Sequence, residues 1–164
     1  MKDVLIVGGG PAGSTLAILL GRKGLTVDLI DRDHFPREKP CGEGILPPGV
    51  DVLRSIGLSE ALQGRRLSGV RYHVGKHTVR GAFDEKVSEP QRWGLGQRRM
   101  VLDSVLWNAA TQTSGVSVHS GVKVDQAIIE RGRAVGVVAQ GVERRARWIV
   151  RADGSSSTLR RPTR

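Results

Sequence analysis

Gly8, Gly10 and Gly13 follow the apolar run 4–7 in the spacing G-x-G-x-x-G, and the chemistry served by that spacing is the binding of a pyrophosphate. Gly8 permits a tight turn, Gly10 lets the pyrophosphate approach the backbone, and Gly13 lets a helix pack closely on a strand. Pro11 and Ala12 then open a helix whose free N–H groups and positive dipole end point at whatever sits over Gly10. Asp31 stands 18 residues after Gly13, near the roughly 20-residue offset at which an acid meets the hydroxyls of an adenosine ribose. Its truncation is expected to weaken nucleotide binding and leave the fold intact. Downstream, Arg37 and Lys39 could face phosphate or an anionic ring, while Gly42 and Gly44 let the backbone lie against a flat ligand. Cys41 is the only thiol, with two readings open: a redox or covalent residue, or a small apolar filler. Arg98 and Arg99 open a predicted helix, where basic charge opposes the dipole; a bound anion or a solvated pair would account for them.

The elements that must hold these residues are legible in the apolar pattern. Strands are expected at 4–7 and 26–30, joined by a helix from Pro11 with Gly13, Leu16, Ala17 and Leu20 on one face and Gly24 closing it. Residues 32–46 read as a long functional loop. A helix follows over 47–56, with Val50, Leu53 and Ile56 inward and Gly57 stopping it; strands at 67–74 and 78–83 flank Gly75. Residues 93–97 lead into a helix over 99–114 with Leu102, Val105, Leu106 and Ala109 inward, and 116–119 form a third parallel strand. The segments 123–130 and 134–140 make a hairpin around Arg131 and Gly132, extended by 142–146 into a three-stranded meander. A core strand over 148–151 ends in Ala152, Asp153 and Gly154, and 155–158 are expected to cap a helix near Leu159. The fold class is α/β: a Rossmann-like parallel sheet with a β-meander crossover.

Composition narrows the functions. The chain has 164 residues, 38% of them hydrophobic, without an apolar run near 18 residues, which implies a soluble domain with no membrane span. Residues 1–3 lead straight into a core strand and there is one cysteine, so no leader, disulfide framework or cysteine metal site is expected, and the setting is a reducing cytoplasm. The net charge of +10 is dispersed and aromatics are only 4%, so nucleic acid is not an expected partner; a piece of a larger protein explains the imbalance better. Tyr72 and Lys76 have a dehydrogenase-like Y-x-x-x-K spacing but lie in a strand-like stretch, His73 and His77 lack a third metal ligand, and no G-x-S-x-G elbow is present.

The order GGGPAG, LIDR, FPREKPCGEGILP, QRRMVLD and RADGSSSTLRR resembles the N-terminal FAD-binding part of the p-hydroxybenzoate hydroxylase-fold FAD-dependent oxidoreductases, and most of all the geranylgeranyl reductase family. The resemblance covers essentially the whole chain. It implies that Gly8, Gly10 and Gly13, with Pro11 and Ala12, hold the FAD pyrophosphate, and that Asp31, with Arg32 beside it, takes the adenosine ribose. It implies that Arg99 reaches the FAD phosphate or ribitol, and that Asp153 and Gly154 form a DG motif completed by Ser157 and Arg160. Lys39, Cys41 and Gly42 resemble the K-x-C-G segment of the reductase branch and are given to the cofactor; the catalytic residues stay unassigned, with Cys41 a candidate from its chemistry alone, and no metal is implied. The implied activity is reduction of C=C bonds of isoprenoid chains, with NAD(P)H as reductant and a small-molecule or prenyl-lipid substrate. An aromatic hydroxylase or halogenase is the alternative, and a non-catalytic nucleotide-binding fragment is the reading from another class. Residues 1–62 and 96–164 would form a truncated FAD-binding domain and 63–95 the first strands of an incomplete substrate domain. Such a chain is expected to be inactive alone and to self-associate through exposed strand edges, with peripheral membrane contact in the full-length protein.

Overall fold

The computed structural model describes residues 1–83, 92–154 and 157. In chain order its elements are β1 (Lys2–Val7), α1 (Pro11–Arg22), β2 (Val27–Ile30), β3 (Gly44–Ile45), α2 (Pro47–Ser55), β4 (Arg65–Leu67), β5 (Gly69–Val74), β6 (His77–Ala82), β7 (Gly94–Gly96), α3 (Arg99–Gln112), β8 (Val116–His119), β9 (Val124–Glu130), β10 (Arg133–Ala139) and β11 (Val142–Arg151). They gather into two compact units: Met1–Arg37 with Asp103–Arg164, and Glu38–Leu102. The sequence places the divisions at 62/63 and 95/96; the compact units divide at 37/38 and 102/103, so α2 belongs with the strands of the second unit.

The first unit is built on a six-stranded sheet in the order β8-β2-β1-β11-β10-β9. Val4, Leu5, Ile6 and Val7 are all buried, as a strand in the middle of a sheet covered on both faces requires. β1 runs parallel to β2, with Val4 opposite Val27 and Val7 opposite Ile30, and β2 runs parallel to β8. On one face Leu5, Val7 and Ile30 pack with Val124, Val137, Ala139 and Ala146, and each large side chain removed from water there contributes roughly 1.5–3 kcal/mol.

Three sequence expectations are corrected here. The buried face of α1 is Gly13, Ser14, Ala17, Ile18 and Gly21, so Leu16 and Leu20 are only half-buried. Small residues let the helix lie close: a Cβ on Gly21 would sit 2.7 Å from side-chain atoms of Thr113 and Val116. On α3 the buried residues are Leu102, Asp103, Leu106, Trp107 and Ala110, because the face turns toward Asp103 and Trp107 and leaves Val105 and Ala109 at its margin. The segments expected at 142–146 and 148–151 are one strand. β11 pairs antiparallel with β10 over Val142 to Arg145, then parallel with β1 over Ala146 to Arg151, which joins meander and parallel sheet without a break. Its hairpin neighbour turns at Arg131 and Gly132, both at positive φ, as a two-residue primed turn needs.

In the second unit, β3, β7 and β4 make a short antiparallel sheet; the segment expected only to lead into α3 thus contains a strand, and so does the loop 32–46. Leu53 and Ile56 of the α2 region are buried with Leu62, while Val50 is half-buried. β5 and β6 form a separate hairpin through Gly75, whose Tyr72, Val74 and Val79 are exposed. The helix expected near Leu159 lies outside the described residues.

Candidate nucleotide-binding turn

Gly8 leaves β1 with φ at +108°, a conformation that side chains rarely adopt. Its N–H donates to Ile30 O at 2.8 Å, and a Cβ on it would run into the carbonyl of Ala152 and sit 2.7 Å from Asp153 N. Ala152 N–H in turn donates to Val7 O at 2.7 Å, so the end of β11 is laid directly along the turn. A Cβ on Gly13 would run into Gly8 O. The roles assigned to Gly8 and Gly13 from their spacing therefore have a steric counterpart. Around Gly10 the space is open: among the described residues a Cβ there would meet Arg37 Nη2 alone, at 3.5 Å. No side chain caps the N-terminus of α1, its first turn carries no acid, Pro11 is half-buried and Ala12 is exposed. Uncapped N–H groups beside an open glycine suit an anion.

Asp31 is 5% exposed. Its Oδ2 accepts the Gly9 N–H at 2.6 Å, its Oδ1 accepts the Asp33 N–H at 2.9 Å, and Arg37 Nη1 lies 3.5 Å from Oδ1. The carboxylate is thus a clamp on the glycine turn as well as the acid at the end of β2, which corrects the expectation that its truncation would leave the fold untouched. Arg32 beside it is largely exposed and reaches Asp33 at 3.8 Å. Asp153 Oδ1 is buried without a hydrogen-bond donor, and the Ser157 hydroxyl is likewise buried without a partner. Gly154 is exposed with φ at +83°, and Arg160 lies outside the described residues.

The first unit accordingly gathers Gly8, Gly10, Gly13, Asp31 and Asp153. Lys39, Cys41, Gly42 and Arg99 belong to the second unit, where Lys39, Cys41, Glu43, Arg98 and Arg99 line a cavity of about 250 Å³. Cys41 is exposed, which removes the buried-filler reading. The Glu43 N–H, 3.4 Å from Sγ, and then Arg99 hold its thiol below the usual range. Glu43 itself has φ at +54°, and its Oε1 accepts the Arg99 N–H at 3.4 Å. Glu38 stands 3.8 Å from Arg98, so carboxylates within the unit answer part of the charge at the start of α3. Tyr72 and Lys76 are on a hairpin with no helical turn between them, His73 Nδ1 pairs with Thr78 Oγ1 at 2.9 Å, and no metal-ligand cluster occurs among the described residues.

Trp107 joins the site although no quoted motif contains it, and so do Phe35 and Asp103, which stand in FPREKPCGEGILP and QRRMVLD but are given no role there. Trp107 is buried against Gly9, and Phe35 stacks on it with ring centroids 4.2 Å apart. The signal that could have found Trp107 is Gly9, the middle glycine of GGG, for which the G-x-G-x-x-G spacing has no use.

A family model described as FAD binding domain matches residues 1–163. The chain belongs to this FAD-binding family. It is similar to the menaquinone reductase of Mycobacterium tuberculosis, 34% identical over 167 residues that cover 97% of this chain and 39% of that protein. Among solved structures it resembles the myxobacterial FAD-dependent chondrochloren halogenase CndH, with a TM-score of 0.85, 29% identity, and coverage of 96% of this chain and 38% of the halogenase. It also resembles a geranylgeranyl bacteriochlorophyll reductase-like protein of Thermoplasma acidophilum, with a TM-score of 0.75, 26% identity, and coverage of 93% and 39%. The chain spans about two fifths of the length of these relatives. FAD fits the residues present: the open, uncapped start of α1 suits its pyrophosphate, and Asp153, whose backbone N lies beside Gly8, carries in Oδ1 a buried acceptor without a donor for its hydroxyls. No helix among the described residues is long and apolar enough to cross a membrane.

Proposed function

We propose that this chain is the FAD-binding part of an oxidoreductase that reduces C=C bonds of an isoprenoid chain with NAD(P)H as reductant. In this reading the backbone of Gly8, Gly10 and Gly13, with Pro11 and Ala12, holds the pyrophosphate, Asp31 with Arg32 faces the adenosine ribose, and Asp153 with Gly154 accepts from the ribitol. The resemblance also gives Arg99 and the Lys39, Cys41 and Gly42 segment to the cofactor. Bound FAD supplies hydride transfer. Adding hydrogen across a double bond also needs a proton, and Cys41 Sγ is the group that holds one: the Glu43 N–H and Arg99 stabilise the thiolate left behind when it is given up. This exposed, activated thiol in the K-x-C-G segment is the observation that carries the reductase reading. The names of two relatives support it, since menaquinone bears an isoprenoid tail and geranylgeranyl is an isoprenoid chain. A prenyl-lipid substrate would bring the whole protein to the membrane surface from the cytoplasm.

The likeness to CndH favours a second reading, a FAD-dependent halogenase or aromatic hydroxylase, in which Cys41 has no proton to give. One experiment separates them. Full-length protein is given NADPH and a polyprenyl quinone without oxygen, and the product is weighed. A gain of two hydrogens that persists in the isoprenoid chain after the quinol is reoxidised, abolished by Cys41→Ala while that variant keeps its FAD, supports the reductase; turnover that requires oxygen supports the second reading. A protein that binds FAD but turns over neither class points to the non-catalytic reading.

A further inference from the structure

Five residues of the first unit close a ring of contacts around the glycine turn. Gly9 N–H donates to Asp31 Oδ2 at 2.6 Å, and Asp31 Oδ1 lies 3.5 Å from Arg37 Nη1. The Arg37 guanidinium stands over the Phe35 ring, 4.9 Å from its centroid, and Phe35 stacks on Trp107 at 4.2 Å with 10° between the planes. Trp107 returns to the start: a Cβ on Gly9 would sit 2.7 Å from Trp107 Cε3 and run into Cζ3. Asp103, four residues before Trp107 on α3 and fully buried, lies 3.5 Å from Arg37 Nε, and Asp33 Oδ2 takes Arg37 Nη1 at 2.6 Å.

This arrangement draws a guanidinium largely out of water and leaves Nε at ion-pair distance from Asp103 without a hydrogen bond. Packing alone would not ask for it, because a smaller apolar side chain at 107 would fill the space and admit alanine at 9. What the ring does is hold Gly9 from two sides: its N–H by Asp31 and its Cα by the indole. The peptide that follows leads into Gly10 and the open N-terminus of α1, and Arg37 Nη2 reaches the rim of that opening. We propose that Trp107 and Arg37 are positioning residues for the ADP half of FAD, fixing through Gly9 and Asp31 the orientation of the glycine turn before the nucleotide arrives. The proposal rests on membership of the FAD-binding family and adds residues outside the glycine spacing.

The test is calorimetric titration of the full chain with ADP and with FAD, beside its melting temperature. Gly9→Ala is expected to weaken ADP binding by about tenfold or more, and Trp107→Leu alone by about threefold. Together they should bind within about threefold of the parent, because the methyl then occupies the space the indole has left. That rescue is a pattern that general loss of stability does not produce. Arg37→Gln is expected to lose about tenfold in ADP affinity and Arg37→Lys less, each measured well below its own melting midpoint. If the folded double variant binds no better than Gly9→Ala, or, where Gly9→Ala does not fold, if Arg37→Gln binds ADP as the parent does, the proposal is overturned. A parent that still binds FAD in that case leaves the cofactor assignment standing.

Discussion

Replacing Asp31 by alanine is the most informative single perturbation of this chain, because it separates a clamp from a ligand. The carboxylate is 5% exposed and accepts two backbone N–H groups, at 2.6 Å from Gly9 and 2.9 Å from Asp33. A hydrogen bond to a charged group contributes about 1.5–3 kcal/mol. The two losses are unequal: the Asp33 side is partly open to water and its N–H can rehydrate, whereas the Gly9 N–H is left buried without an acceptor. Arg37 keeps Asp33 and Asp103 as counter-charges and so adds little. The expected cost is about 3 kcal/mol, or about 6–12 °C in melting temperature for a chain of this size. ADP binding by the fraction that remains folded should fall about tenfold to a hundredfold, since the turn loses its tether and the ribose its acid. Asp31→Asn, which retains one acceptor oxygen, should show about half the stability loss. Thermal and urea unfolding followed by circular dichroism, with ADP titrations on the same samples, decide it. A midpoint within about 2 °C of the parent would refute the clamp, and an unchanged ADP affinity would refute the ribose role.

Gly8→Ala should cost more than about 2 kcal/mol in urea unfolding, while Gly24→Ala, at positive φ but with open space around it, should cost about 1 kcal/mol. Cys41 should react with iodoacetamide at lower pH than a free thiol, because the Glu43 N–H and Arg99 favour the thiolate; Arg99→Gln should slow that reaction about threefold near pH 7. Asp3 is held below the usual carboxylate range by the Thr26 N–H, then by the Thr26 hydroxyl and Arg147. Its contribution is therefore present above an unfolded-state pKa of about 3.9 and lost as pH falls through the lower folded value, so Asp3→Asn should flatten the acid limb of the stability curve below about pH 4.

What is legible in the sequence is whatever repeats within a few residues. The run 4–7, the glycine spacing and Asp31 lie within one strand-helix-strand unit, and their places follow from local pattern alone. The junction at Ala146 to Trp148 reads as a break between two strands because charged residues on both sides obscure the alternation, and only pairing with β1 and β10 makes β11 continuous. β7 is Gly94, Leu95 and Gly96, a composition that predicts no strand and is held by its two neighbours. The apolar pattern sets the face of α3 one residue off because Asp103 looks like a solvent residue; its partner Arg37 is 66 positions earlier, beyond the reach of any periodicity. Phe35, Arg37 and Trp107 are invisible as a group for the same reason.

The continuity of β11 bears on how this chain can change in length. Residues can be added at the Arg131–Gly132 hairpin tip without touching any pairing with β1. Adding or deleting one residue between Ala146 and Arg151 instead shifts the strand against β1 by one step and turns its last side chains to the opposite face. The backbone of Ala152 and Asp153 would then no longer lie along Gly8 in the same register. Descendants of this sequence are free to vary at the hairpin tip, and residues 146–151 of β11 act as a ruler whose far end is the DG loop.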